Sequence, residues 1–598
     1  MAPAEDVADE ESVVRRREGP SDVDRIREVD RTHEIDSTRD VEHARDGASR
    51  ATRDGRLGSA ARDRVTAAVC AIAALALAVR VVGIGGRPFH WGEARVGYWA
   101  LRFAQSGTFT YRPVAGGPFL YVVDGRLFSV LPPTDAVARL VVAVVGGLLP
   151  LVALSFRTRL RDDETVVFAA FLALNPLLVY YSRFLRGDVP LAAFALAAVG
   201  LTVRAVDTGS RRALYGAGLA FGLALAASGF VVGYLVCWLV AGALVADHAA
   251  LVATGPSLDD RAAALVRWVR GRATPMARAT LLAVGTVLFF YAPRAGAAGG
   301  PGLWKPLTWP AVFESALVGS AWKFYGVRVL ARPNGGTHPI LPYVRGSLGT
   351  LALAALPLVA LAVVAFLADR YRSGGPRPVV AFSAYWGGAA LFVFPLIAEV
   401  NAPWVAVHAA VPLALPAAVG GARLLRAGAN AFDRGDAATV AAAALIVLAV
   451  LAQVGAVTAR DVYGPSDRDN RLAQFAQPGD DLAPLLAKLR PIVRRNDGVD
   501  VLYYGERFYT VDDRANDRPP VGDAWGHRLP LPWYFERMGA RTASVKDEAQ
   551  FSGLGTVPPV VVADASDRGK LAPQLDGYAA SEYHLGLWDR RVVVFVKQ

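Results

Sequence analysis

The polar side chains able to act on a substrate gather at four places along an otherwise apolar chain. The first is Phe89-His90-Trp91-Gly92-Glu93-Ala94-Arg95, where Glu93 opens a stretch with an apolar face at helical spacing. The second is Tyr180-Tyr181-Ser182-Arg183-Phe184-Leu185-Arg186-Gly187-Asp188, a few residues after Asn175-Pro176. Arg183 and Arg186 suit a phosphate, because a guanidinium grips two phosphate oxygens at once. The third lies in the stretch 293–345, where Trp304, Lys305, Trp309, Glu314, Trp322, Lys323 and Tyr325 precede His338. The fourth is Glu399-Val400-Asn401-Ala402-Pro403-Trp404, with His408 one turn further on. A carboxylate can take up a proton, and an arginine can stabilise the charge of a bound phosphate. Plainer roles compete: an acid near a helix N-terminus is favoured by the macrodipole, and charges at a membrane boundary pair with each other or with lipid headgroups.

Some chemistries are excluded. No G-x-x-x-x-G-K-[ST] loop is present, so no ATP site of that kind is expected. The two cysteines, Cys70 and Cys237, sit inside apolar runs, which rules out a disulfide framework or a cysteine metal site.

The elements that hold these clusters are membrane helices. Of 598 residues, 53% are hydrophobic and 20% charged, with a formal net charge of +11. That charge is unevenly divided: −4 over residues 1–64, +16 over 65–457 and −1 over 458–598. A nucleic-acid partner needs its basic excess on a soluble surface; here the excess belongs to the apolar middle, as short cytoplasmic loops give it. Residues 1–64 are polar and nearly free of aromatics, and are expected to be a disordered cytoplasmic tail. Apolar runs of about 20 residues or slightly fewer predict spans near 65–85, 135–156, 164–181, 188–206, 212–228, 230–250, 276–292, 346–368, 378–397, 404–423 and 437–457. Pro118–Leu131 is short and contains Asp124, Gly125 and Arg126, so it is expected to be juxtamembrane or re-entrant.

Eleven spans with a cytoplasmic N-terminus put 17 arginines in 66 residues of inside loops, against 14 basic residues in 123 residues outside. A twelfth span would reverse that bias, so the positive-inside rule favours eleven. The four polar clusters then share the external face, with external loops at 85–134 and 293–345. Residues 458–598 read as a soluble external α/β domain, with strands at Val499–Tyr504, Val557–Ala563 and Val592–Lys597 and a helix at Asp481–Arg495.

An acid in the first external loop, a Ser-Arg-x-x-Arg-x-Asp turn, many spans and an external C-terminal domain together resemble the GT-C fold of membrane glycosyltransferases. Protein O-mannosyltransferases and the lipid A aminoarabinose transferase have that fold. Tyr181 to Asp188, Pro403 to His408 and Leu529 to Phe535 resemble, more closely, the archaeal flippase-activity-associated membrane proteins. The resemblance covers about 65–598. The fold class it implies is a polytopic α-helical membrane protein, GT-C-like, with about eleven transmembrane helices and an extracytoplasmic C-terminal α/β domain.

The resemblance implies a polyprenyl (dolichyl) phosphate-linked sugar as donor, transferred to an acceptor outside the membrane. Glu93 is then the candidate base, and Arg183 and Arg186 the phosphate ligands. Asp188 either orients an arginine or assists a divalent metal. Glu399, Trp404 and His408 are candidates for substrate contact, and His338 for the metal. In the wider fold the first-loop motif is commonly Asp-Glu; Gly92-Glu93 leaves one carboxylate there, which speaks against two-acid metal binding. The competing reading is a non-enzymatic helper in flipping lipid-linked sugars, acting with glycosylation-pathway proteins. An ordinary transporter fits less well, because polar residues gather at one face and not at the midplane.

Overall fold

The apolar runs fold as a bundle of helices, and the C-terminal residues as a small sheet domain. The structure, a computed structural model, describes residues 63–113, 117–251, 257–295, 299–326, 340–372, 375–398, 400–466, 469–473, 476–511, 524–586 and 590–598. His338 and Glu399 lie outside the described residues.

The chain begins with α1 (Asp63–Val81), then α2 (Trp91–Ser106) and α3 (Gly117–Phe128). There follow α4 (Asp135–Leu148), continued as a 3-10 helix to Phe156, α5 (Asp162–Leu174), α6 (Pro176–Ser182), α7 (Asp188–Thr208) and α8 (Arg211–Ala227). Next come α9 (Val231–Leu251), α10 (Leu258–Arg270) and α11 (Ala273–Tyr291). Among the described residues seven helices are long and apolar enough to cross a membrane, or nine if each of two bent pairs is one span. This is a multi-pass membrane protein. Every one of the eleven expected spans has a helix at its place, but not all are full-length straight spans. The helix α8 has 17 residues, and the apolar part of α9 covers only Val231–Asp247. The helix α3 has 12 residues, too few to cross.

The bent pairs have sequence causes. Between α5 and α6 the axis turns by 52° at Asn175-Pro176. Proline lacks the N–H that would continue α5 and pushes the preceding residue out of the helical region. Asn175 sits at φ −59°, ψ 122°, and its side chain accepts from Leu177 N and Leu178 N, capping the second half. The carbonyls freed at the end of α5 are met by buried Arg80, whose guanidinium donates to Leu172 O (3.2 Å) and Ala173 O (2.9 Å). In a bilayer such groups must be satisfied internally. A break of 100° separates Ile340–Ala354 from Leu356–Arg370, again beside a proline, Pro357.

The C-terminal sheet has the order β2-β1-β3-β5-β4. Strands β1 (Val501–Tyr504), β2 (Thr542–Val545) and β3 (Val560–Asp564) are parallel, and β4 (Tyr578–His584) and β5 (Arg591–Lys597) join antiparallel. Leu502, Val561, Ala563, Val593 and Phe595 lie in one buried core. The strands expected from apolar runs are β1, β3 and β5. The two missed, β2 and β4, are short or half-exposed.

This domain docks on the first loop and on α4. The helix Leu531–Met538 brings three donors to Asp135: Trp533 Nε1 (2.9 Å), Tyr534 Oη (2.9 Å) and Arg537 Nη1 (2.6 Å). Phe89 N donates to Tyr534 Oη (2.8 Å), and the Phe89 ring stacks on Trp533 with centroids 4.9 Å apart. Trp91 Nε1 donates to Gly526 O, and Gln477 Nε2 to Pro88 O.

Candidate functional site

Glu93 enters as the third residue of α2. Its backbone neighbours form a capping box: His90 Nδ1 accepts from Gly92 N (2.9 Å), and Glu93 Oε2 accepts from His90 N (3.0 Å). The carboxylate is fully buried and fully used. Arg139 of α4 binds it side-on, Nε to Oε1 and Nη2 to Oε2, both at 2.7 Å. Leu185 N, in the turn between α6 and α7, donates to Oε1 (2.8 Å). Four donors thus fill the roughly four acceptor positions of a carboxylate. Burial alone would raise its pKa, but Arg139 and Arg87 and the hydrogen bonds from Arg139 and His90 hold it down at about 2. Glu93 therefore ties together α2, α4 and the 183–187 turn.

The turn places its two arginines on different errands. The Arg183 guanidinium donates to the carbonyls of Val79, Arg80, Val82 and Gly83, at the C-terminal end of α1, and covers the Tyr463 ring at 4.7 Å. Arg186 instead faces the start of the helix at 403. Its guanidinium lies 3.7 Å over the Trp404 ring, and its Nε donates to Asp188 Oδ2 (2.9 Å). Among the described residues no protein acceptor meets its Nη1 or Nη2. The other oxygen of Asp188 lies 3.3 Å from His408 Nε2, and His408 Nδ1 is 2.9 Å from the Tyr234 hydroxyl. A proton on Nε2, with Nδ1 accepting from Tyr234, satisfies both contacts. Phe394 stacks on the His408 ring with centroids 4.0 Å apart.

Two further groups border Arg186. A Cβ built on Gly92 would stand 3.3 Å from Arg186 Nη1 and 3.3 Å from His90 Nδ1. The absence of a side chain at 92 therefore leaves that side of Arg186 open. The His90 ring lies 5.0 Å from Phe184 and 6.0 Å from Trp404. Its Nδ1 accepts, so Nε2 carries the proton, and Nε2 is buried with no partner among the described residues. Burial pushes the His90 pKa well below its ordinary value; Glu93 opposes this, while Arg186, Arg87 and Arg139 reinforce it.

The structure thus brings together Glu93, Arg186, Asp188, Trp404 and His408, and turns Arg183 away from them. Arg139, His90 and Tyr234 were not foreseen. Arg139 carried a signal, since a charge inside an apolar span is by default a candidate for function. Among the described residues no three His, Cys, Asp or Glu side chains stand close enough to hold a metal ion. Asp188 and His408 are a pair with no third such side chain beside them among the described residues.

Known proteins supply the frame. The family model of the Agl23 flippase-associated protein C-terminal domain matches residues 482–597. The model of dolichyl-phosphate-mannose-protein mannosyltransferase matches residues 125–266. No curated protein matches the sequence. Among solved structures, ArnT from Cupriavidus metallidurans in the apo state is similar at 16% identity and TM-score 0.53, over 88% of this chain and 97% of that one. The same protein bound to undecaprenyl phosphate gives 17% and 0.51 over the same shares. The Archaeoglobus fulgidus oligosaccharyltransferase gives 14% and 0.50, over 88% of this chain and 75% of that one. The chain has a GT-C-like fold, and its residues 482–597 are similar to the C-terminal domain of the flippase-associated proteins.

Proposed function

We propose that the protein moves a sugar from a polyprenyl phosphate donor to an acceptor hydroxyl at the membrane surface. The observation that carries this is Arg186. It is fixed by Asp188 on its Nε and by Trp404 beneath its plane, and neither Nη has a protein acceptor among the described residues, which suits an anion. The ArnT relative is recorded with undecaprenyl phosphate, which supports a donor of that class. In the reaction the bond from the anomeric carbon to the phosphate oxygen breaks, and its electron pair stays on the phosphate. Arg186 neutralises that charge. The acceptor oxygen attacks the anomeric carbon, and its proton passes to Asp188, which has acceptor positions left. Glu93, with none left, serves as the anchor that fixes the turn and not as the base. His90 offers its Nε2 proton to the donor beside Arg186. No step needs a metal; if a divalent cation takes part, Asp188 and His408 are the described residues that would meet it.

The arginine-dense loops support a cytoplasmic N-terminus, with the site and the C-terminal domain on the other side. In the reading of a flipping helper the same site binds donor without transfer. The test is transfer from a synthetic polyprenyl phosphate sugar to a soluble acceptor by purified protein. Arg186→Ala should lower turnover by about 10²–10³-fold, and Arg186→Lys, which keeps charge but loses the planar fork, should restore only part. Wild-type turnover in Arg186→Ala would sink the proposal. Donor binding that depends on Arg186, with no sugar moved, would instead favour the helper.

A further inference from the structure

The far end of α7 carries a second site that the transfer chemistry does not use. The helix runs 21 residues from Asp188, so at about 1.5 Å per residue Thr208 lies about 30 Å from Asp188. There two cavities adjoin. One, of about 530 Å³, is polar and is lined by Arg211, Arg270 and Arg272 at the entrances of α8 and α11. The other, of about 940 Å³, is overwhelmingly apolar and runs between α7, α8, α9 and α11, past Phe221, Trp238 and Trp386. Leu214 and Trp268 line both, so the polar chamber adjoins the apolar one at these two side chains.

Among the described residues none of Arg211, Arg270 and Arg272 has a carboxylate partner; Arg272 covers the Trp268 ring at 5.0 Å. Asp207, the acid that lines the apolar cavity among the described residues, is already bound by Arg159 and Thr158. The level in the membrane also fits. The helix α10 carries Trp268 and leaves Leu265 and Val266 exposed, as a helix lying in the interface does. Basic pockets between membrane helices at that level bind lipid headgroups.

We propose that this corner binds one anionic phospholipid, with its phosphate on Arg211, Arg270 and Arg272 and a hydrocarbon chain in the apolar cavity. Charge complementarity selects the head, and the joined cavities select a lipid over a free ion. The site stands apart from the transfer reading and from its residues.

The test uses the full chain in neutral detergent, with lipid retention read by native mass spectrometry. The probes are phosphatidylglycerol, phosphatidylcholine, a polyprenyl phosphate and inorganic phosphate. Phosphatidylglycerol should be retained over phosphatidylcholine. Replacing Arg211, Arg270 and Arg272 together by Gln should weaken it by roughly tenfold or more. Gly242→Phe probes the chain half separately: Gly242 lines the apolar cavity, and a Cβ there meets nothing within 4 Å, so the variant should fold and lose the lipid. Equal retention of the zwitterionic lipid, or an unchanged triple variant, would overturn the proposal. So would full displacement by inorganic phosphate, an unaffected Gly242→Phe, or preference for the polyprenyl phosphate.

Discussion

At the residue scale, the acid expected to be the base is the one most firmly held. A base must keep a lone pair for the incoming proton, and Glu93 has given all of its own to Arg139, Leu185 and His90. Removing one partner of a buried pair strands the other charge, at roughly 3–5 kcal/mol. Glu93→Gln should therefore lower the thermal midpoint and the folded yield. Glu93→Leu combined with Arg139→Met should be more stable than either single change, and a double-mutant cycle by thermal unfolding reads that coupling. A Glu93→Gln protein of wild-type stability but without activity would return the acid to the role of base. His90 makes a second prediction, in pH. Its folded pKa lies well below the ordinary value of 6.5, pushed there by burial, so the unfolded chain binds the proton first. The stability this contributes is present above pH 6.5 and is lost as pH falls below it. His527, held down at about 4 by burial and nearby arginines, acts in the same direction. His90→Asn keeps a cap for α2 but does not titrate. Its midpoint should fall less steeply than the wild type's between pH 6.5 and 5, and an unchanged slope would refute the assignment.

At the scale of elements, the site depends on how closely α4 meets α6. A Cβ on Gly146 would lie 2.2 Å from Ser182 Oγ and 2.7 Å from Ser182 Cβ. Ser182 is the residue before the turn that carries Arg183 to Asp188. Gly146→Ala should therefore shift that turn and reduce turnover more than it reduces membrane insertion. Adding Ser182→Gly removes the two closest contacts, leaving Arg80 Nε at 3.0 Å, and should recover much of the loss, measured as turnover per folded molecule; no recovery would place the effect elsewhere. Much of this arrangement was legible beforehand. Apolar runs marked the helices, because a bilayer demands that length and composition, and the Asn175-Pro176 break and the charged turn stood out between them. The partnership of Glu93 with Arg139 did not, since the two are 46 positions apart and Arg139 sits in an apolar helix. The errand of Arg183 was equally hidden: it is set by where α1 ends, not by the spacing within its own motif. Strand β4 was missed because Tyr578–His584 is half-exposed along its length and has no apolar run.

At the scale of the whole molecule, the two stretches that match known families meet at one carboxylate. Asp135 lies within the stretch similar to the mannosyltransferase model, and Trp533, Tyr534 and Arg537 lie within the stretch similar to the flippase-associated C-terminal domain. Between them runs the first loop, whose Phe89 is bonded and stacked to the same helix. The start of α2, with His90 and Glu93, is thus braced from outside the membrane by a domain more than 400 positions away in sequence. If that brace matters, cutting it should act on the site from a distance. Asp135→Ala strands Arg537 and removes three hydrogen bonds at a half-buried contact, a loss of roughly 2–5 kcal/mol by analogy with hydrogen-bonded charge pairs at interfaces. Hydrogen exchange should rise in both 88–102 and 531–538, although only one of these segments is near the mutation in sequence. Turnover should fall while donor binding at Arg186 changes little, because Asp135 touches neither. Asp135→Asn keeps acceptor capacity for Trp533 and should lie between. Exchange confined to 531–538, with turnover intact, would mean that the domain only rests on the loop and that the site is set by the membrane helices alone.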